Sequence, residues 1–187
     1  GTQRRIMARQ CNVTDLSSNT ANQFIKENHI QGVTNSVIRK GLYYGSELVQ
    51  VMTFIPLRYK KQESDTYELA RICSKKGTMV QGGASKLFRA FEREYAPTKV
   101  YSYALRRLSR GDLYQQLGFE FSHFSDPNYF YVHRNGDYAG SRNKFQKHKL
   151  HRLLEVFDPN QSEWENMQAN GYNRIWDCGN SVWVWAR

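Results

Sequence analysis

Residues 79–87 place two adjacent glycines and two small residues where a strand pattern gives way to a helix pattern. Gly82, Gly83 and Ala84 have no bulky side chains, so the backbone there can approach a phosphate group closely. The first N–H groups of a helix lack partners within the helix, and the helix dipole favours an anion beside them. The segment predicts a site for an anionic cofactor, although a glycine pair before a helix also occurs in simple turns.

Residues 111–119, Gly-Asp-Leu-Tyr-Gln-Gln-Leu-Gly-Phe, run into a strand pattern some thirty residues later. This stretch resembles the signature of the GNAT acyltransferases, and the order of elements is similar to that superfamily over residues 11–133. The resemblance implies that the glycine segment holds the pyrophosphate of an acyl-CoA-type donor. It also implies that Tyr114 donates a proton to the departing thiolate. The alternative role for Tyr114 is packing of its helix on the sheet.

The elements that must position these residues follow from hydrophobic periodicity. Strand patterns occur at residues 4–13, 37–44, 48–54, 67–73, 99–104, 119–124 and 128–133, and helix patterns at 14–28, 82–95 and 112–117. The second and third strands read as a hairpin that turns at Gly45 and Ser46. This order predicts a GNAT-like α/β fold in which helices flank a mixed central sheet.

The remainder of the chain does not continue this alternation of strand and helix patterns. Residues 134–152 contain six Lys or Arg and only one acidic residue, Asp137. A short helix at residues 163–170 follows, and then strands at 174–178 and 181–185 read as a closing hairpin around Gly179 and Asn180. We therefore expect a single domain with a core of about residues 4–133 and a basic C-terminal extension of about residues 134–187.

A second resemblance covers nearly the whole chain, through residues 27–32, 41–44, 68–73, 82–87 and 175–180. These stretches are similar to phage proteins of the Mu Mom type, which modify adenine in DNA. They are also similar to domains found alone or attached to homing-endonuclease-like nucleases. The resemblance implies an active-site set of His29, Arg71, Ser85 and Tyr114. In that set His29 acts as a base or ligand, and Arg71 holds a phosphate or carboxylate.

Structural alternatives exist for three of these residues. His29 can be an exposed residue at a helix end, Arg71 can form an ion pair at the rim, and Ser85 can satisfy backbone donors at a helix start. The sequence also departs from both families. Met79 stands where the GNAT pattern has Gln or Arg, which argues against coenzyme A. Leu105 stands where the Mom-like proteins carry Asp, which favours a binding module over an enzyme.

Lys and Arg number 27 against 17 Asp and Glu, so the formal net charge is +10. A positive field of this size attracts a polyanion such as DNA. Tyr138 and Phe145 lie among the cations of the last basic cluster and are candidates for stacking on an unpaired base. The predicted nucleic-acid-binding residues are Arg58, Lys60, Lys61, Arg106, Arg107, Arg142, Lys144, Lys147 and Lys149.

Two functions fit these observations. The leading hypothesis is a phage-type transferase that moves an acyl-type group to the amine of a DNA base, with the target base flipped out of the duplex. The alternative is a non-catalytic DNA-binding domain that positions a fused or associated homing-endonuclease-like nuclease. A small-molecule or protein N-acetyltransferase is disfavoured by Met79 and by the concentrated positive charge.

The sequence also indicates a compartment. Cys11, Cys73 and Cys178 are odd in number and widely spaced, as is typical of free thiols in a reducing compartment. We find no apolar run long enough to span a bilayer, no signal-peptide pattern and no metal-ligand spacing. We therefore expect a cytoplasmic protein, in the host cell if phage-encoded, with neither a membrane partner nor a bound metal.

Overall fold

The computed structural model describes residues 3–57 and 65–187. The chain forms two compact units. The first contains the described residues up to Ala104, together with Arg110–His123 and Ser181–Arg187. The second contains Leu105–Ser109 and Phe124–Asn180. The second unit is thus inserted into the first, and it begins before residue 134, where the basic extension was expected to start.

The first unit holds the elements of a large sheet and its helices. Its strands are β1 (Arg4–Met7), β2 (Asn12–Asp15), β3 (Ile38–Tyr44), β4 (Glu47–Pro56), β5 (Thr66–Ser74), β6 (Thr78–Gln81), β7 (Lys99–Leu105), β8 (Glu120–Phe124) and, last in the chain, β12 (Asn180–Ala186). Its helices are α1 (Ser18–Asn28), α2 (Gly83–Tyr95) and α3 (Asp112–Gln116), and a 3-10 turn spans Ala8–Gln10.

The main sheet has seven strands in the order β2-β3-β4-β5-β7-β12-β8. Neighbours from β2 to β5 are antiparallel, whereas β5 and β7 are parallel, so the sheet is mixed as predicted. The hairpin of β3 and β4 is also confirmed, with its turn at Gly45, which has a φ of 59°. A separate two-stranded sheet joins β1 and β6 in parallel.

Helix α2 covers one face of the sheet. Leu87, Phe88 and Phe91 recur at helical spacing and are all buried in the main core. The ring of Phe91 stacks on that of Phe54 in β4, with centroids 3.6 Å apart. Burial of each such side chain contributes about 1.5–3 kcal/mol, so this face alone anchors the helix.

Helix α1 covers a smaller core elsewhere on the sheet. Ser17 caps the helix by accepting a hydrogen bond from the Thr20 N–H at 3.1 Å. Ala21, Phe24 and Ile25 are buried and pack with Val51 of β4. The helix begins four residues later than its sequence pattern indicates, because β2 continues to Asp15 and pairs with β3.

A buried lysine ties β2, β3 and α2 together. The Lys40 side chain is only 3% exposed, and its ammonium group forms ion pairs with Asp15 and Glu94. Burial lowers the pKa of Lys40, but the hydrogen bonds to the two carboxylates outweigh that effect and raise it overall.

The second unit has its own sheet and core. Its elements are β9 (Tyr129–His133), β10 (Tyr138–Ser141), a 3-10 turn (Arg142–Phe145), α4 (Lys147–Leu150), α5 (Glu163–Ala169) and β11 (Tyr172–Trp176). The strands pair in the order β10-β9-β11. Tyr131, Phe145, Leu150 and Met167 are buried between this sheet and the helices.

The predicted closing hairpin is wrong. β11 pairs with β9 in the second unit, whereas β12 lies between β7 and β8 in the first. Ser181, Val182 and Trp183 are consecutive buried residues of β12, which suits a strand inside a sheet that is covered on both faces. The strand predicted at residues 4–13 is also two strands, β1 and β2, separated by the 3-10 turn.

Candidate active site

The two parallel strands at the centre of the main sheet separate partway along their length. β5 and β7 pair only from Thr66 with Lys99 to Glu68 with Tyr101, although both strands continue further. At the next position the Ser102 hydroxyl donates to the Leu69 carbonyl at 2.9 Å. A side chain therefore satisfies a carbonyl at the place where the backbone ladder between the two strands stops.

A β-bulge in β5 determines which side chains face this region. Adjacent residues Thr53 and Phe54 of β4 pair with Arg71 and Leu69 of β5, so Ala70 is an extra residue. Without the bulge, positions 68 and 71 would lie on opposite faces of the pleated strand. The bulge reverses the alternation and brings Glu68 and Arg71 to the same face.

Tyr114 of α3 reaches the same region. Its ring stacks on Trp183 of β12, with centroids 6.1 Å apart, and meets Phe119 edge-on. Burial raises the pKa of the Tyr114 hydroxyl, while the nearby Ser102 side chain and the charge of Arg71 act in the opposite direction. The hydroxyl is therefore protonated at neutral pH and able to donate a proton.

Glu68 is the carboxylate of this group, and sequence reasoning missed it as a site residue. Burial raises the pKa of the Glu68 carboxyl, although the Arg71 guanidinium acts to lower it. Its electrostatic interactions extend to Tyr114 as well. The presence of a carboxylate in a strand rich in apolar residues could have indicated Glu68 as a site residue. The face of the sheet on which Glu68 lies, however, depends on the bulge.

Arg71 and His29 are also brought together. Arg71 donates to the Gly32 carbonyl at 2.9 Å and to the Ala70 carbonyl at 2.7 Å, and its charge interacts with Tyr114. His29 directly follows α1, and its Nδ1 accepts a hydrogen bond from the Gln31 N–H at 3.1 Å. Burial, and then the charge of Arg71, lower the pKa of His29. His29 is therefore neutral at pH 7 and has the proton on Nε2.

The glycine segment begins α2, as predicted. Gly82 has a φ of 74° and precedes the helix, where the left-handed conformation suits glycine. Gly82 and Ser85 line a cavity of about 540 Å³, together with Ala8, Arg9, Lys86, Arg89, Glu92 and Arg93. This cavity is strongly basic, as a site for phosphate groups requires.

Gly83 and Ala84 do not line this cavity. Gly83 is buried, and a Cβ added there would lie 2.1 Å from Gln50 Oε1 and 2.8 Å from Val80 Cγ1. The absence of a side chain at Gly83 is therefore needed for packing of α2 on the sheet. Ala84 is partly buried against the main core. Met79, which replaces the polar residue of the GNAT pattern, is 47% exposed.

The predicted nucleic-acid-binding residues that the structure describes all lie in the second unit. Arg58, Lys60 and Lys61 lie outside the described residues. Arg106 stacks over the Phe124 ring at 4.2 Å and donates to the Cys178 carbonyl at 3.0 Å, and Arg107 is exposed. The other four, Arg142, Lys144, Lys147 and Lys149, are exposed in the second unit.

The two candidate stacking residues differ in accessibility. Phe145 is only 3% exposed and belongs to the core of the second unit, so the prediction that it stacks on a base is wrong. Tyr138 is 68% exposed.

Among residues 3–57 and 65–187, no three His, Cys, Asp or Glu side chains form a group that could hold a metal ion. The described helices also include none long and apolar enough to cross a membrane.

Neither a scan against family models nor a search of curated proteins finds a match to the sequence. Solved structures do resemble the chain. An acetyltransferase from Bacillus subtilis in complex with CoA is 13% identical, with 95% of this chain and 98% of that chain covered and a TM-score of 0.51. A GNAT-family protein from Desulfovibrio desulfuricans is 7% identical, with coverages of 94% and 98% and a TM-score of 0.53.

A spermidine/spermine N-acetyltransferase from Vibrio cholerae is 12% identical, with 96% of this chain and 94% of that chain covered and a TM-score of 0.52. Identities this low establish the fold alone. The mixed sheet, its flanking helices and these similarities together show that the chain adopts the GNAT fold.

Proposed function

We propose that the protein transfers an acyl-type group from an acyl-CoA-type donor to the amine of a DNA base. The observation that carries the proposal is the position of Tyr114, whose hydroxyl interacts with Ser102, Arg71 and Glu68 beside the place where β5 and β7 stop pairing. A proton donor and a proton acceptor are thus held together at a gap in the sheet, as transfer of an acyl group to an amine requires.

The donor supplies an acyl group activated as a thioester. Around it, a Glu68 carboxylate oxygen accepts a proton from the amine as the new C–N bond forms. The Tyr114 hydroxyl donates its proton to the sulfur as the C–S bond breaks. One proton leaves the amine and one reaches the thiolate, so exchange of a proton with solvent restores both residues.

The chain offers a matching site for phosphate groups on the donor. Arg9, Lys86, Arg89 and Arg93 surround the cavity at the start of α2, and Gly82 lets the backbone approach closely. A Cβ at Gly82 would meet only Ala8, at 3.7 Å. These residues suit the charge of a CoA-type donor. Met79 cannot bind a phosphate group as the polar residue of the GNAT pattern would, so the arginines would bind it instead.

The proposed target rests on charge and on the resemblance to Mom-like phage proteins. The net charge of +10 favours a polyanionic substrate over a small amine. A base amine inside a duplex cannot reach the partly buried Tyr114, so the target base would be flipped out or already unpaired.

The second candidate is a DNA-binding domain without activity that positions a nuclease. It is favoured by Arg71, whose guanidinium donates to two backbone carbonyls and so has a structural role. Leu105, in place of an acidic residue, favours it too.

The decisive experiment incubates the protein with DNA and acetyl-CoA, digests the DNA to nucleosides and measures their masses together with release of free thiol. We expect one nucleoside to gain the mass of the acyl group, with one thiol released per modified base. Unchanged nucleosides with acetyl-CoA, and also in a cell extract that supplies other donors, would contradict the transferase and support the binding domain.

A further inference from the structure

Three polar side chains form a row across neighbouring strands of the main sheet. Arg39 of β3 pairs with Thr53 of β4, and Thr53 pairs in turn with Arg71 of β5. Directly paired residues project from the same face of a sheet, so Thr53 lies between the two arginines. The adjacent row on this face contains Val51 and Cys73, which pack with α1. The arginine row therefore lies beside α1, where the helix gives way to the loop that follows it.

The loop from His29 to Val37 is held over this row by the arginines. Arg71 Nε donates to the Gly32 carbonyl at 2.9 Å, and the Arg39 guanidinium donates to the Ser36 carbonyl at 2.5 Å. Ser36 is only 5% exposed, although the residues on either side of it in the chain are exposed. The loop thus adds a second buried hydroxyl, that of Ser36, next to Arg39.

Polar atoms of this group have no partner. Within the part of the chain that the structure describes, the buried atoms Thr53 Oγ1, Ser36 Oγ and Arg39 Nε lack a hydrogen-bond partner. Burial of an unpartnered hydroxyl or N–H group destabilises a fold, so such groups are rare unless a ligand or a water completes them. Three of them beside one another point to a bound group that accepts hydrogen bonds.

The charge of the row is positive. Arg39 and Arg71 are both half-buried, and no carboxylate among the residues described here lies within ion-pairing distance of either. Glu68 lies on the same face and interacts with Arg71 through its charge alone. A water could complete the hydroxyl groups, but it would leave two partly desolvated guanidinium groups without a counter-charge.

We propose that this row binds a phosphate group, with Arg39 and Arg71 supplying the charge and the hydroxyls of Thr53 and Ser36 donating to its oxygens. A phosphate accepts several hydrogen bonds at once, and guanidinium groups match its geometry. Both guanidinium groups reach solvent, so the phosphate enters between them.

Arg71 links the row to the candidate active site, because its charge also interacts with Tyr114. The assignment of the phosphate to the nucleotide whose base is modified rests on the proposed function. In that case the row positions the acceptor strand beside the Tyr114 hydroxyl. The row itself requires no DNA, so free inorganic phosphate is the other source of the same group.

The test follows the thermal midpoint of unfolding as inorganic phosphate is titrated at constant ionic strength. Arg89→Met and Arg93→Met are present throughout, so that the basic cavity beside α2 contributes less. We expect phosphate to raise the midpoint. Thr53→Val should raise the midpoint without phosphate, because it removes an unpartnered buried hydroxyl, and should weaken phosphate binding about 10- to 100-fold. Ser36→Ala should weaken it similarly.

Thr66→Val is the matched control. The Thr66 hydroxyl is also buried without a partner in the described chain, but Thr66 begins β5, five residues before Arg71. This variant should raise the midpoint as Thr53→Val does and keep the full response to phosphate. The comparison separates binding at the row from the general stabilisation of folded proteins by phosphate. Arg39→Met provides a second variant of the row and should also lose the response.

An equal response to phosphate in Thr53→Val, Arg39→Met and Thr66→Val would overturn the proposal. So would a lower midpoint for Thr53→Val without phosphate, because the hydroxyl would then already have a partner. Deoxyadenosine 5′-monophosphate distinguishes the source: tighter binding than inorganic phosphate supports the acceptor nucleotide, and equal binding supports free phosphate. No donor is present, so a protein that binds phosphate here but modifies no nucleoside would retain this inference and lose only the transferase.

Discussion

The Ser102 hydroxyl donates to the Leu69 carbonyl at 2.9 Å, at the first position where β5 and β7 no longer pair. The same serine side chain lies near the Tyr114 hydroxyl and acts to lower its pKa. One small residue therefore completes the end of a backbone ladder and also interacts with a candidate proton donor. This double role connects the separation of the strands with the chemistry proposed beside it.

Tyr114→Phe should lower the rate of acyl transfer by about 10²- to 10⁴-fold, the usual contribution of a general acid. The ring contacts with Trp183 and Phe119 remain, so stability should change by only about 1 kcal/mol. Mass analysis of DNA nucleosides gives the rate, and urea unfolding gives the stability. Tyr67→Phe removes a hydroxyl elsewhere in the core and serves as the control. Full activity in Tyr114→Phe would eliminate the tyrosine as the acid.

Glu68→Gln should abolish activity and raise the thermal midpoint at neutral pH. The folded-state pKa of Glu68 is raised, so its ionised form destabilises the fold at pH values above that pKa, and glutamine relieves this cost. As a base, Glu68 must be ionised, so wild-type activity should fall as the pH falls through the raised pKa. The acidic limb should therefore lie above the ordinary range for glutamate. A glutamine variant with wild-type activity would exclude Glu68 as the base.

Gly83→Ala should destabilise the protein by about 1–3 kcal/mol, because the added Cβ overpacks the contact with Gln50 and Val80. Gly82→Asn is the matched comparison. Asparagine tolerates a positive φ, and the space at Gly82 is open, so its stability should stay close to wild type. Chemical unfolding of the two variants measures the difference. Equal stability of Gly83→Ala and wild type would show that Gly83 is not a packing residue.

Removal of the Lys40 ammonium group and removal of its two carboxylate partners should have unequal effects on the free energy of unfolding. Lys40→Met keeps the volume and lets the partly exposed Asp15 and Glu94 return to water, so the cost should be below about 1.5 kcal/mol. The double variant Asp15→Asn with Glu94→Gln leaves a buried ammonium group unpaired and should cost about 3–5 kcal/mol. Thermal or urea unfolding distinguishes them, and a larger loss in Lys40→Met would reverse the interpretation.

Replacement of Lys144, Lys147 and Lys149 by alanine should flatten the salt dependence of duplex binding. Each phosphate that the variant no longer neutralises should reduce the slope of log K against log salt by about 0.9. Lys75→Ala is the control, because that ammonium group is already paired with Glu47 at 2.7 Å. A triple variant with the wild-type slope would place the DNA-binding charge elsewhere.

Local sequence patterns predict which helices and strands form better than they predict which strands pair with each other. Leu87, Phe88 and Phe91 repeat at helical spacing, so α2 can be read directly from the sequence. The destination of β12 cannot, because its place between β7 and β8 depends on strands distant in the chain. The candidate site shows the same division. Tyr114 stands out by its sequence context, whereas Glu68 faces the site through a bulge that exists only in the pairing of β4 with β5.

The insertion of the second unit also dictates an order of assembly. Among the described strands, β8 borders only β12, and residues 125–179, most of the second unit, separate them in the chain. While residues 124–179 are being synthesised, β8 has no neighbour and Tyr114 lacks the Trp183 ring on which it stacks. The surrounding unit therefore cannot close its sheet co-translationally ahead of the insert. A nascent chain interrupted within the insert would expose a strand edge and leave the candidate site around Tyr114 incomplete.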